Sequence, residues 1–113
     1  MNEQEVQPDL VLSIAGESVG DRRVLTVSGE LDMATAPRLE AAVEELLDDD
    51  ELRRVVIDLS GTVFVDSSGL RAILSTQRRL QELGREFSLR APSPPVTRLL
   101  EITALVEHFT IED

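Results

Sequence analysis

Short apolar runs separated by turn residues predict a β-hairpin near the start of the chain. Residues 10–15, LVLSIA, form a β-rich run, and residues 24–29, VLTVSG, alternate well enough to pair with it. The intervening residues 16–22, GESVGDR, have the composition of a turn. The pattern predicts an antiparallel pair of strands, preceded by a flexible N-terminal tail at residues 1–9.

A helical repeat of apolar residues follows the second strand. Thr35 is a suitable cap for a helix that has Pro37 in its first turn, where the missing N–H costs nothing. The helix is predicted to run to about Leu47, and the acidic residues 48–51, DDDE, are expected to end it as a solvated turn rather than a metal loop. Its apolar face comprises Leu39, Val43, Leu46 and Leu47.

A nearly continuous β-branched run at residues 54–61, RVVIDLSG, predicts a central strand buried on both faces. A short loop is expected next, and then a long amphipathic helix that Asp66 or Ser67 caps and Gly84 ends. The apolar side of this helix comprises Leu70, Ile73, Leu74, Leu80 and Leu83.

The last third of the chain repeats the alternation of strand and helix. Residues 85–91 predict a strand, residues 92–95, PSPP, a loop, and residues 108–111, HFTI, the strand that closes the sheet. A third helix between them has Val96, Leu99 and Leu100 at helical spacing. The element order β-β-α-β-α-β-α-β predicts one α/β domain at residues 10–113, with parallel central strands and an antiparallel first strand.

The composition excludes several functions. The 113 residues carry a formal charge of −11, and all eleven basic residues are Arg, so lysine-dependent phosphate binding and Schiff-base chemistry are excluded. The absence of Cys excludes disulfides and zinc fingers, and the single His leaves little for a metal site. An acidic chain without Trp or Tyr is not expected to bind nucleic acid.

The sequence carries neither of the two signals of a membrane or export destination. Its first nine residues contain acids and no Arg, unlike the basic region of a signal peptide. No apolar run approaches the roughly 20 residues that a membrane span needs. We therefore expect a cytoplasmic protein that requires no membrane and no cofactor.

The segment Asp66-Ser67-Ser68-Gly69 is the main candidate for chemistry. It lies between a buried strand and a long helix, where free backbone N–H groups and the helix dipole favour an anion. A phosphate on Ser67 would add about −1.5 to −2 charges, helped by the dipole and opposed by Asp66. On local chemistry alone, an ordinary helix cap is the favoured explanation of this segment.

A second polar loop, Gly29-Glu30-Leu31-Asp32, follows the second strand. If the strands behind the two loops are neighbours, Asp32 and Ser67 emerge at the same end of the sheet, where open α/β folds place their sites. The alternative is two unrelated polar turns.

The residues do not favour an enzyme. A nucleophile elbow at Ser67 requires Gly where Val65 stands. The only imidazole, that of His108, is predicted at the last strand and is more typical of a packed or solvent-facing residue. Asp58 and Asp66 are a carboxylate pair without an evident cleft. We expect no catalytic residues.

Four motifs in order resemble one known family: VSGELD at 27–32, VVIDLSG at 55–61, VDSSGLRAIL at 65–74 and SPPVTRLLEITAL at 93–105. Together they resemble the anti-sigma factor antagonists of bacteria, which are single STAS domains. The resemblance covers all but the N-terminal tail. It implies a mixed sheet of four to five strands with helices packed against it.

The resemblance also implies a partner switch and its site. Such an antagonist binds an anti-sigma factor that is a serine kinase and so frees a sigma factor. Phosphorylation of the serine after the Asp of the motif, here Ser67, abolishes binding, and a PP2C-type phosphatase restores it. The remaining motif residues are then expected at the partner surface: Asp32, Asp66, Ser68, Gly69, Leu70 and Arg71.

Two positions depart from the pattern of many relatives. Arg71 and Ala104 stand where a glycine is usual, and Arg71 either alters the partner or counters a phosphate on Ser67. A STAS subunit of a transport or lipid-trafficking complex, without phosphorylation, is the alternative function.

Overall fold

The structure is a computed structural model that describes residues 11–112. The predicted tail, residues 1–9, lies outside the described residues, as does Leu10 of the predicted first strand. The described chain forms one six-stranded sheet and three α-helices. The elements are β1 (Leu12–Val19), β2 (Arg22–Leu31), α1 (Ala36–Leu47), β3 (Arg54–Asp58), β4 (Thr62–Val65), α2 (Ser67–Glu82), β5 (Glu86–Arg90), α3 (Pro94–Ile102), a 3-10 turn (Val106–His108) and β6 (Ile111–Glu112).

The sheet has the predicted mixture of pairings. Its strand order is β1-β2-β3-β5-β6, and β4 also pairs with β2. Only β1 is antiparallel to its neighbour, and all the other pairs are parallel. The central strand is buried on both faces, because Val55, Val56 and Ile57 on β3 have no exposed surface. The α/β architecture expected from the sequence is therefore confirmed, with six strands where four to five were expected.

The first hairpin is longer than predicted. β1 extends to Val19, which pairs with Arg22 of β2, so most of residues 16–22 is strand and only Gly20 and Asp21 form the turn. Gly20 has a φ of 63°, which a tight turn requires and glycine adopts easily. The side chains of the additional strand residues are exposed. Backbone pairing within the hairpin, and not side-chain burial, therefore extends the strand.

The predicted loop at residues 62–65 is instead strand β4. β2 is long enough to pair with two strands along one edge: its first half pairs with β3, and residues 29–31 pair with β4. The register shifts between Gly29 and Glu30, so the alternation of β4 is irregular. This irregularity explains why a period-two pattern did not identify the strand.

Other differences lie at the ends of elements. Pro94 and Pro95 form the first turn of α3 rather than a loop, since proline is compatible with the start of a helix. Leu83, predicted on the apolar side of α2, is 52% exposed beyond the helix end. Gly84 ends that helix as predicted, with a φ of 71°. Of the predicted last strand, 108–111, only Ile111 pairs in the sheet, together with Glu112.

The core lies between the sheet and the helices. Leu39 and Val43 of α1 are buried as predicted, and Leu46 and Leu47 are half-buried. The other helices contribute buried side chains at their predicted positions, namely Leu70, Ile73 and Leu80 from α2, and Val96 and Leu100 from α3.

Candidate functional site

The two polar loops meet at one end of the sheet. Leu31 at the end of β2 is paired in parallel with Val65 at the end of β4. Asp32 and Asp66 follow these residues directly, and the Asp66 N–H donates a hydrogen bond to the Leu31 carbonyl at 3.2 Å. The structure thus brings together the segments of Asp32 and Ser67, as expected for neighbouring strands.

Asp66 is the N-cap of α2. Its backbone is extended, and its Oδ1 accepts hydrogen bonds from the backbone N–H groups of Ser68 at 2.9 Å and of Gly69 at 3.0 Å. These N–H groups would otherwise lack partners at the start of the helix. Of the two caps considered from the sequence, Asp66 is therefore the one that forms.

Ser67 is the first residue of α2 and is exposed. Within residues 11–112, its hydroxyl has no hydrogen-bond partner. The cap formed by Asp66 fixes the backbone on either side of this hydroxyl. The geometry therefore presents a free serine oxygen on a fixed backbone.

Gly69 and Leu70 hold the start of α2 against the sheet. Both are buried, and Leu70 is 8% exposed. A Cβ added at Gly69 would lie 2.5 Å from the Leu31 carbonyl oxygen and 3.0 Å from a Val65 methyl carbon. Glycine is thus required by packing, and neither residue offers much side chain to a partner in this conformation.

The Asp32 loop is braced by its own hydrogen bonds. The Asp32 Oδ1 accepts from the backbone N–H groups of Ala34 at 3.0 Å and of Thr35 at 3.1 Å. The Thr35 hydroxyl donates to the Glu30 carbonyl at 2.7 Å and accepts from the Asp32 N–H at 2.9 Å. Thr35 occupies the cap position of α1, but its side chain makes no cap hydrogen bond, so the predicted side-chain cap is wrong.

Exposed apolar side chains accompany the two loops. Met33 is 76% exposed beside Asp32, and Val63 and Phe64 on β4 are 66% and 47% exposed. Val65 is half-buried, and Arg71 on α2 is exposed. We define the Ser67 surface as Asp32, Met33, Val63, Phe64, Ser67 and Arg71. Composition and motif did not identify Met33; only its position in the folded loop does.

The opposite end of the sheet, where β2, β3 and β5 begin, carries ion pairs. Arg22 pairs with Glu112 at 3.2 Å, and Arg54 pairs with Glu86. A hydrogen bond from the Ser88 hydroxyl, with a smaller contribution from Arg22, holds the pKa of Glu112 below its usual value although partial burial opposes this. Arg22, Arg54 and Glu86 lie at the starts of β2, β3 and β5, and the side chain of Glu112, from the end of β6, reaches Arg22 and Arg54.

The groups considered for catalysis are not assembled. The Asp58 Oδ1 accepts from the backbone N–H and the hydroxyl of Ser60, at 2.9 and 2.7 Å, which closes the turn after β3. His108 is exposed, and its ring lies edge-on to that of Phe109. In the described part of the chain, no three His, Cys, Asp or Glu residues are arranged to hold a metal ion. None of the helices described is long and apolar enough to span a membrane.

Known proteins share this fold and these motifs. Residues 11–113 match the STAS domain family. The anti-sigma F factor antagonist of Paenibacillus polymyxa is 31% identical over 90 residues, which cover 80% of this chain and 77% of that protein. The crystal structure of an anti-sigma factor antagonist from Mycobacterium paratuberculosis is 33% identical with a TM-score of 0.81, covering 93% of this chain and 87% of that one.

A more distant structure is similar in fold. Bacillus SpoIIAA in its phosphorylated form has a TM-score of 0.70 at 20% identity, covering 89% of this chain and 92% of that one. The match to the family model and the identity with the Paenibacillus and Mycobacterium antagonists establish that the chain belongs to the STAS domain family and, within it, to the anti-sigma factor antagonists.

Proposed function

We propose that this protein is a partner switch controlled by phosphorylation of Ser67. Unphosphorylated, it binds an anti-sigma factor that is itself a serine kinase and so frees a sigma factor for transcription. Phosphorylation of Ser67 by that kinase ends the binding, and a PP2C-type phosphatase restores it. On this proposal the protein acts in the cytoplasm and is a substrate of the kinase rather than an enzyme.

The observation that carries the proposal is the exposed hydroxyl of Ser67 at a fixed helix start, which makes no hydrogen bond to any residue from 11 to 112. A kinase needs a serine oxygen that it can approach from solvent, and a switch needs that oxygen to lie within the docking face. Phe64 and Met33, both exposed, supply apolar contact area beside it. The existence of a phosphorylated form of SpoIIAA, a protein of the same fold, supports the same chemistry here.

In the proposed phosphoryl transfer, one bond forms and one bond breaks. The Ser67 Oγ forms a bond to the γ-phosphorus of ATP as the bond between that phosphorus and the β,γ-bridging oxygen breaks. ADP leaves, and the hydroxyl proton passes to a base of the kinase. The antagonist contributes only the nucleophilic oxygen and the surface that docks it.

The same modification explains the loss of binding. A phosphate adds about −1.5 to −2 charges and considerable bulk at the first turn of α2. Burying such a charge against a partner without compensation costs several kcal/mol, and each 1.4 kcal/mol is about a factor of ten in affinity. A local change is sufficient, so no refolding of the domain is required.

The proposal is tested with the cognate anti-sigma kinase and ATP. We expect one phosphate per chain on Ser67 by peptide mass spectrometry, no labelling of Ser67→Ala, and normal labelling of the control Ser18→Ala, at an exposed serine on β1. Binding of the kinase should be retained by Ser67→Ala and lost by the phosphorylated wild type. Labelling that survives Ser67→Ala would overturn the assignment.

A transport or lipid-trafficking adaptor remains the competing function, and affinity capture from the native cell separates the two. Recovery of a small kinase that Ser67→Glu no longer captures supports the switch. Recovery of a transport ATPase, equally well by Ser67→Glu and by the wild type, would select the adaptor instead.

A further inference from the structure

Arg71 is the only basic residue in the two segments that build the Ser67 surface, residues 28–37 and 61–74. It is exposed, and it forms no ion pair or side-chain hydrogen bond with any residue from 11 to 112. Five other arginines do contact a carboxylate, namely Arg22, Arg23, Arg54, Arg79 and Arg90. Among the residues that the structure describes, Arg71 is therefore a guanidinium without an acidic partner, one helical turn from the candidate phosphorylation site.

The helix geometry directs Arg71 toward Ser67. Both residues belong to α2 and are four positions apart, so they lie on one face with their Cβ atoms about 5–6 Å apart. Side chains on a helix lean toward its N-terminus, which carries the longer Arg71 side chain back over the first turn. Phosphorylated Ser67 would be an acidic group four residues before the basic Arg71, which is the more favourable order for an ion pair on a helix.

The surrounding charges leave a phosphate on Ser67 few other partners. The N–H groups of Ser68 and Gly69, which could receive an anion at this helix start, are already bonded to the Asp66 carboxylate. Asp66, Asp32 across the paired strands and Glu30 on β2 repel a phosphate, and Arg38, on α1, lies just outside these two segments. The guanidinium of Arg71 is thus the compensating group that the local structure supplies.

We propose that Arg71 is a positioning residue that binds the phosphate of phosphorylated Ser67. The planar guanidinium offers two parallel N–H donors, which match two phosphate oxygens. The pair holds the phosphate over the first turn of α2 and favours its doubly charged form. This inference rests on the proposed function, because it describes the phosphorylated state of the same switch.

The test does not need the kinase. Phosphoserine is installed at position 67 by genetic-code expansion, and the phosphate is titrated by 31P NMR. Because an opposite charge favours the dianion, Arg71 should lower the second pKa of the phosphate, and Arg71→Gln should raise it. Arg71→Lys should restore most of the effect, while Arg78→Gln, an exposed arginine further along the same helix, should leave the titration unchanged.

A second measurement compares unfolding in urea with and without the phosphate. We expect phosphorylation to increase the unfolding equilibrium constant about twofold more in Arg71→Gln than in the wild type, as for one exposed helical ion pair. Identical 31P titrations in the wild type and Arg71→Gln would overturn the pairing. Failure of the kinase to modify Ser67 would instead overturn the proposed function and leave the pairing result standing, so the two failures are distinguishable.

Discussion

Gly69 lies directly against the main chain of Leu31, so close that an added Cβ would be 2.5 Å from the Leu31 carbonyl oxygen. The same carbonyl accepts the Asp66 N–H at 3.2 Å. The end of β2 and the start of α2 are therefore joined by one hydrogen bond and one close contact. This contact fixes where Ser67 is presented.

Replacing Gly69 by alanine tests this contact. In an exposed helix, glycine to alanine stabilises by about 1 kcal/mol, but overpacking at a buried site costs about 1–3 kcal/mol. We expect Gly69→Ala to lower the free energy of unfolding, measured by urea denaturation. Gly16→Ala is the control, because its Cβ would meet only a Leu25 methyl carbon at 3.6 Å. A Gly69→Ala protein as stable as the wild type would contradict the close approach.

The cap of α2 gives a second prediction. Asp66→Ala removes the acceptor of two backbone N–H groups and should cost about 1 kcal/mol of stability, whereas Asp66→Asn keeps an acceptor oxygen and should cost much less. Thermal and urea unfolding measure the difference. Asp50→Ala, an exposed acid in the turn after α1, controls for the change in net charge. Equal losses for the Asn and Ala variants would show that the carboxylate does not act as a cap.

The exposed phenyl ring of Phe64 gives a prediction about binding. If the Ser67 surface docks the anti-sigma factor, Phe64→Ala should weaken binding by tenfold or more, as expected for an aromatic anchor. Its free energy of unfolding should fall by only about 1 kcal/mol, because Phe64 is 47% exposed and truncation removes only the buried half of its surface. Isothermal titration calorimetry with the cognate anti-sigma factor measures the affinity.

Val19→Ala is the matched control for that experiment. Val19 is 50% exposed and pairs with Arg22, at the opposite end of β2 from Leu31. Its truncation should leave the affinity unchanged. A loss of affinity in Val19→Ala, with Phe64→Ala unaffected, would place the docking face on the other end of the sheet.

Much of this site can be predicted from local sequence. The remainder depends on the pairing of two strands that are distant in the sequence. Helical spacing located the buried face of α2, and the motif placed Ser67 at its start. The sequence predicts the juxtaposition of Asp32 and Ser67 only if the strands behind their loops are neighbours, and this requires β4 to pair with β2. The adjacent apolar residues Val63 and Phe64 do not alternate, since the register shifts opposite them, so sequence alone indicated a loop.

The hydrogen bonds that side chains make in the loops could not be predicted from local sequence either. Thr35 has the residue type and position of a helix cap, yet its hydroxyl bonds back to Glu30. That choice depends on how β2 ends and turns into α1, which no local pattern encodes. The loop is consequently more tightly braced than the sequence suggested.

The Glu112 carboxylate gives a prediction about pH. Its pKa is lowered in the folded protein, first by the Ser88 hydroxyl and then by Arg22. A lowered pKa in the folded protein means that the stabilising contribution of this carboxylate is present above the unfolded pKa and is lost as the pH falls through the folded pKa.

The difference in unfolding free energy between the wild type and Glu112→Gln should therefore be largest near pH 7 and shrink steadily below about pH 4. Urea denaturation of both proteins across this pH range measures the difference. A difference for Glu112→Gln that is constant with pH would show that the carboxylate gains nothing from Ser88 and Arg22.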